Sequence, residues 1–226
     1  MSIRFLEQYE GFLLDVDGVL VRESEPIGAS IGALDCLQRA GEVVLLTNNS
    51  TRSRTQHARQ LVERGFHVRP EQVLPTSYLA AQYLLQTEGH VSVWVLGETG
   101  LRDELSAAGH RLVDRPEDAA VVVAGMDRGI TYDRLATAYH ALQHGAKLVA
   151  TNEDGTYPVP GGLLPGAGAT VGALRGMGFP PDVVIGKPSS IAFRMALESL
   201  DLPPDRVVMI GDRLETDIVG GRDAGI

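Results

Sequence analysis

The chain has 226 residues, 44% hydrophobic and 22% charged, so it can bury a sizeable core with or without a second lobe, and its composition excludes a disordered, fibrous or disulfide-built protein. Twenty Lys and Arg against 29 Asp and Glu give a formal charge of -9, and the basic residues are scattered, which excludes the clustered positive footprint of a nucleic-acid binder. A single cysteine, Cys36, rules out an intrachain disulfide and is expected as a small buried side chain on a helix.

From the N-terminus onward, Met1 to Glu10 holds no apolar stretch of signal-peptide length. The longest apolar runs elsewhere, such as Ala119 to Gly125, are too short to span a bilayer. A cytoplasmic protein with no membrane and no nucleic-acid partner is expected; a homo-oligomer is compatible with the sequence. Apolar runs of strand length recur at Phe12 to Leu14, Val43 to Leu46, Val91 to Leu96, Ala120 to Ala124, Lys147 to Ala150, Val183 to Ile185 and Val207 to Ile210. Such continuous runs are the mark of parallel strands buried on both faces. Between them, Ile27, Ile31, Leu34 and Leu37 recur at helical spacing before Gly41, and Ala58, Leu61 and Val62 before Gly65. Strand and helix in alternation predict an α/β fold with a doubly wound, Rossmann-like parallel sheet. Asn152 to Gly168, with three Pro and five Gly, reads as a long loop of the kind that often carries function.

Four strand ends carry the polar residues. The first is Asp15-Val16-Asp17-Gly18-Val19-Leu20, placed where open α/β sheets bind ligands. Its two carboxylates could both bind metal, or one could attack while the other shuttles protons; alone, the pattern is as readily a solvated turn. The second, Thr47-Asn48-Asn49-Ser50-Thr51, offers hydroxyl, amide and backbone N–H groups for an oxyanion, with Ser50 or Thr51 as the bland alternative of a helix cap. In the third, Gly186-Lys187-Pro188-Ser189-Ser190, Lys187 could neutralise phosphate or the attacking carboxylate, although a lysine after a strand is usually just solvated. The fourth is Gly211-Asp212-Arg213-Leu214-Glu215-Thr216-Asp217, whose two aspartates suit one hard cation such as Mg²⁺, or else an acid-rich helix start. Six histidines form no zinc pattern, and Trp94 reads as core.

Taken in order, D-V-D-G-V-L, L-T-N-N-S, G-K-P and G-D-R-L-E-T-D resemble the haloacid dehalogenase (HAD) superfamily, within it the NagD-like and 4-nitrophenylphosphatase-like group, and the resemblance spans essentially the whole chain. It implies Asp15 as nucleophile, Asp17 as general acid and base, Thr47 and Asn48 as phosphate ligands and Lys187 as charge clamp. It also implies Mg²⁺ held by Asp15, Asp212 and the backbone carbonyl of Asp17, with Asp217 in support. The same resemblance implies a discontinuous catalytic core, residues 1–77 and 180–226, interrupted by an inserted α/β cap domain, residues 78–179. Cap loops contact substrate in that family, which makes Asn152, Asp154 and the turn Pro165-Gly166-Ala167-Gly168 candidates. Gly166-Ala167-Gly168 with Gly172 resembles a dinucleotide fingerprint, but the spacing is one too long and no strand precedes it. After Gly225-Ile226 the chain departs from the family pattern, which continues with at least one more core strand, so an exposed sheet edge is expected there.

The expected activity is Mg²⁺-dependent hydrolysis of small phosphate monoesters, of sugars, nucleotides or related metabolites, through an aspartyl-phosphate on Asp15. A phosphotransferase or mutase on the same scaffold, a non-catalytic phospho-ligand binder and a receiver-type signalling domain are the alternatives. The receiver lacks both an acid two residues after its phosphorylated Asp and an inserted lobe.

Overall fold

The computed structural model describes residues 8–22 and 25–226, so the first seven residues of the Met1 to Glu10 stretch lie outside the described residues. In chain order the elements begin with β1 (Gly11–Leu14), the short ribbon β2 (Val21–Arg22) and β3 (Glu25–Pro26), α1 (Ser30–Ala40), β4 (Glu42–Thr47), α2 (Arg54–Glu63) and β5 (Val73–Pro75). There follow α3 (Thr76–Glu88), β6 (Ser92–Leu96), α4 (Thr99–Ala107), β7 (Arg111–Leu112), β8 (Val121–Ala124), α5 (Tyr132–Gln143) and β9 (Lys147–Ala150). The chain continues through β10 (Thr156–Val159), β11 (Gly162–Pro165), α6 (Ala167–Gly176), β12 (Val183–Val184), α7 (Ser190–Leu200), β13 (Val207–Ile210) and α8 (Val219–Asp223).

Every apolar run expected as a strand forms one, because a strand buried on both faces leaves no position for polar alternation. All four residues of β1 and of β8 are buried. Apart from the antiparallel pairs β2–β3 and β10–β11, the strands form two sheets, ordered β13-β1-β4-β5 and β12-β9-β8-β6-β7. In the first, Gly11 registers with Val207 on one side and with Glu42 on the other. In the second, Val121 registers with Val93 and Lys147, and Val183 with Val149. β13 lies at an edge of its sheet, with Val208, Met209 and Ile210 only half-buried.

By its contacts the chain divides into two compact units, one of Met1–Thr47, Thr55–Leu74 and Lys187–Ile226, the other of Asn48–Arg54 and Pro75–Gly186. The core of the first joins Phe12, Leu14 and Leu45 of the sheet to Leu34 and Leu37 of α1 and Leu61 of α2. In the second, Trp94, Val122 and Leu148 pack with Ala138, Leu142, Val171 and Leu174 of α5 and α6. Residues 180–186 add β12 to the edge of the five-stranded sheet, where Val183 and Val184 continue the ladder beside β9.

Two expectations change. Thr156–Val159 and Gly162–Pro165, inside the expected long loop, pair as an antiparallel hairpin turned by Pro160 and by Gly161 at φ +85°. Pro and Gly density marks the corner of the hairpin and its two-stranded edge, where a missing N–H is tolerated. Cys36 is exposed, because the buried positions of α1 are Ser30, Leu34 and Leu37 and Cys36 sits off that stripe, its sulfur 3.0 Å from the Arg39 guanidinium. Among the described residues, no helix is long and apolar enough to cross a membrane.

Phe12 is fully buried at the centre of the first core. Phe12→Ala is expected to cost about 3–5 kcal/mol, read as a lower urea midpoint by far-UV circular dichroism; a loss below about 1 kcal/mol would show that β1 does not anchor a tight core.

Candidate active site

Because β1, β4 and β13 run parallel, their carboxyl ends lie at one edge of the first sheet. Asp15 directly follows β1, and its N–H extends the ladder by donating to Ile210 O at 2.9 Å. Lys187 is buried with Asp15 and Asp217, and its ammonium donates to Asp15 Oδ1 at 2.8 Å and to Asp217 Oδ1 at 2.6 Å.

Asp217 reaches this position through a wide turn over Leu214–Ile218, in which the N–H of Ile218 returns to Arg213 O at 3.4 Å and that of Val219 to Leu214 O. Turns of this i→i+5 type are rare and recur at functional sites. The Arg213 N–H donates to Asp217 Oδ2 at 3.1 Å, so both carboxylate oxygens are held. Asp212 is exposed, yet one oxygen from each of Asp15, Asp212 and Asp217 lies within 4.8 Å of the others. Gly18 makes that approach possible: at φ +95° it turns the chain after Asp17, and a Cβ there would lie 2.1 Å from Asp212 Oδ2.

Two buried carboxylates against one buried ammonium, with the exposed Asp212 beside them, leave an excess of negative charge. Burial pushes the Asp15 carboxyl up from 3.8 to about 6; Lys187 opposes the shift, while Asp217 and Asp17 add to it. Burial alone would lower Lys187, but the charges of Asp15 and Asp217 prevail and its value is raised. A set of oxygen donors with surplus negative charge suits a hard divalent cation.

Asp17 is exposed on the turn after β1, bridged to Val21, and its carboxylate is outside the three-acid group. Thr47 closes β4 and is buried. Asn48, Asn152 and Asp154 belong to the second unit, where Asp154 Oδ2 accepts from the amides of Asn48 and Asn152, each at 2.9 Å. The Pro165-Gly166-Ala167-Gly168 turn opens α6, with Gly166 N–H on Gly155 O at 2.9 Å and Gly168 N–H on Asp154 O at 2.8 Å. Ser50 and Thr51 are not helix caps, since α2 begins at Arg54; Ser50 is buried and Thr51 donates to Asn49 Oδ1 from both its N–H and its hydroxyl. The sequence reading missed Thr151, whose hydroxyl is 2.9 Å from Asn152 Oδ1 and 3.3 Å from Ser50 Oγ. Its signal was its place directly after β9, the same strand-end rule that singled out the other motifs.

Residues 12–111 match the family described as haloacid dehalogenase-like hydrolase, and residues 184–226 one described as HAD-hydrolase-like. The chain is 36% identical to the 5'-nucleotidase YutF of Bacillus subtilis, over 98% of this chain and 86% of that protein. It is 32% identical to an acid sugar phosphatase of Staphylococcus haemolyticus, over 98% and 84%. Among solved structures, a p-nitrophenyl phosphatase from Archaeoglobus fulgidus superimposes with a TM-score of 0.92 at 33% identity, covering 96% of this chain and 84% of that one.

The raised Asp15 value carries a sign. With a folded value of about 6 above the ordinary 3.8, this group stabilises the fold below that window and loses the contribution as pH rises through about 6. Asp15→Asn removes the charge, so in EDTA its melting temperature by circular dichroism is expected to exceed the wild-type value more at pH 7.5 than at pH 4.5, the differential being on the order of 1–3 kcal/mol. An offset independent of pH would show that Asp15 does not carry this burden.

Proposed function

Given that the chain belongs to the haloacid dehalogenase-like hydrolases, in their NagD-like and 4-nitrophenylphosphatase-like group of phosphoric monoester hydrolases, we propose that it hydrolyses small phosphate monoesters with Mg²⁺ bound and Asp15 as nucleophile. The observation that carries the proposal is the buried ammonium of Lys187 between Asp15 and Asp217, with Asp212 beside them. Phosphate monoesters resist hydrolysis so strongly that enzymes reach accelerations of up to about 10²¹-fold, which calls for a nucleophile, charge neutralisation and acid catalysis together.

Asp15 attacks phosphorus in line and forms an aspartyl-phosphate as the ester oxygen departs. Lys187 offsets negative charge at the nucleophile and on the phosphoryl oxygens, which Thr47 and Asn48 also bind. Asp17 gives its proton to the leaving oxygen, then takes one from the water that cleaves the acyl phosphate, ending the cycle as it began. Asp15, Asp212 and the Asp17 carbonyl would hold Mg²⁺, with Asp217 in support, and the cation when bound supplies further charge neutralisation. The inserted segment, residues 78–179, acts as the cap that governs which ester is used. The names of the relatives, a 5'-nucleotidase and an acid sugar phosphatase, make nucleoside monophosphates and sugar phosphates the first substrates to test. The receiver-type and binding-only alternatives lose their footing with the family.

EDTA is expected to abolish phosphate release from 4-nitrophenyl phosphate and Mg²⁺ to restore it, with Ca²⁺ a poor substitute because its larger, looser shell misplaces the reactants. Asp212→Ala should raise the Mg²⁺ concentration required. Full turnover in metal-free buffer would overturn the metal requirement.

The two carboxylates of the first motif separate by trapping. Asp17→Asn keeps the nucleophile but lacks the base for the second step, so 4-nitrophenyl phosphate, whose leaving group needs little protonation, should give a burst followed by very slow turnover. Rapid-quench mass spectrometry is expected to find the phosphoryl group on Asp15; an adduct on any other residue would refute the assignment.

A further inference from the structure

Asn152 and Asp154 are expected to read the substrate, yet their geometry directs them at another residue. Asp154 Oδ2 accepts two amide hydrogens, one from Asn152 and one from Asn48, 106 positions earlier. An ionised carboxylate only accepts, so the amide of Asn48 must turn its nitrogen to Asp154, and that choice is fixed by chemistry. The opposite end of the amide is also confined: a Cβ on Gly186 would lie 2.5 Å from Asn48 Oδ1, so the glycine leaves room for this side chain where it stands. Thr76 Oγ1 donates to Asn48 O at 2.8 Å and holds the main chain from a third direction.

The acceptor itself is anchored. Asn152 is buried, and its Oδ1 faces the buried hydroxyl of Thr151 at 2.9 Å. The Asp154 carbonyl receives the Gly168 N–H at 2.8 Å, which ties the turn to the start of α6. Both groups that were candidates for substrate contact, the Asn152 to Asp154 turn and the Gly166-Ala167-Gly168 turn, are therefore joined to each other and to Asn48.

We propose that Asp154 is a positioning residue for the phosphate ligand Asn48, with Asn152 aiming the Asp154 carboxylate, and that neither side chain reads the leaving group. This rests on the hydrolase reading above. It implies that Asp154 acts on every substrate alike, since the phosphoryl group is common to all of them, and that it acts on inorganic phosphate as well.

The test compares wild type, Asp154→Ala, Asp154→Asn and Asn48→Ala in the full chain with Mg²⁺. The readouts are kcat/KM for 4-nitrophenyl phosphate, a nucleoside monophosphate and a sugar phosphate, and the inhibition constant of inorganic phosphate. Asp154→Ala is expected to lower kcat/KM roughly tenfold or more, by the same factor for all three esters, and to weaken phosphate inhibition in parallel. Asp154→Asn keeps an acceptor oxygen and should recover most of the loss. In the Asn48→Ala background, Asp154→Ala should add nothing, because its effect passes through Asn48. Should Asp154→Ala not fold, Asp154→Glu keeps the charge, moves the acceptor by one methylene and is expected to show the same uniform loss. A factor that differs strongly between esters with phosphate inhibition unchanged would make these residues leaving-group contacts and overturn the proposal. So would unchanged kinetics in a folded variant. Wild-type hydrolysis of 4-nitrophenyl phosphate that Asp15→Asn abolishes checks the underlying reading separately; if it is present, a null result at Asp154 removes the positioning role alone, and if it is absent, both fall.

Discussion

The first unit is organised around one ammonium that has been taken out of water. Burying Lys187 costs several kcal/mol unless opposite charge surrounds it, and two buried carboxylates do so at 2.8 and 2.6 Å. These partners come from positions 15, 187 and 217, so the charge is satisfied only after β1, β13 and the wide turn after β13 have assembled. Removing the ammonium would leave two buried carboxylates facing each other without a counter-charge, a loss on the order of 3–5 kcal/mol in comparable sites. The fold and the buried ion pairs are thus parts of one arrangement. Yet the arrangement is not the most stable available, since Asp212 adds a third carboxylate where the ammonium is already matched. Surplus negative charge is a burden for an unoccupied protein and an advantage for one that binds a cation and a phosphoryl group.

Small residues decide how close these charges come. Gly18 allows Asp212 to lie against the turn that carries Asp17, and Gly186 does for the Asn48 side chain what Gly18 does for Asp212. At both places a methyl group would occupy space already held by a carboxylate or amide oxygen, so the glycines determine side-chain placement as much as backbone shape. The second unit repeats the logic of the first at its own strand ends. Thr151 and Asn152 follow β9 just as Asp15 follows β1, and there too the polar groups are satisfied by one another.

Much of this was legible in the sequence because parallel strands buried on both faces announce themselves as apolar runs, and the clustered polar residues sit where those runs stop. The runs at Phe12, Val43 and Val207 located the sheet edge at which Asp15 and Lys187 meet. Elements without such a run were not visible. β5 and β7 are short, and β10 and β11 are largely exposed and rich in Pro and Gly, so they carried the signature of a loop. The side of α1 on which Cys36 falls depends on where Ser30, Leu34 and Leu37 point, which cysteine burial statistics do not reveal. The bond from Asn48 to Asp154 spans 106 positions, and nothing local in either segment names its partner. The same holds for β12, whose apolar pair was recognisable as a strand but whose pairing with β9 was not.

Trp94 is the only tryptophan of the chain, and it lies buried in the core of the five-stranded sheet. The cluster of Asp15, Lys187 and Asp217 is built on the other sheet. Intrinsic indole emission therefore reports on one unit, while the far-ultraviolet dichroism of the peptide bonds sums over both. Followed together through a denaturant titration, the two signals count cooperative blocks: superimposed curves mean that both sheets melt as one, and an offset between them measures by how much one outlasts the other.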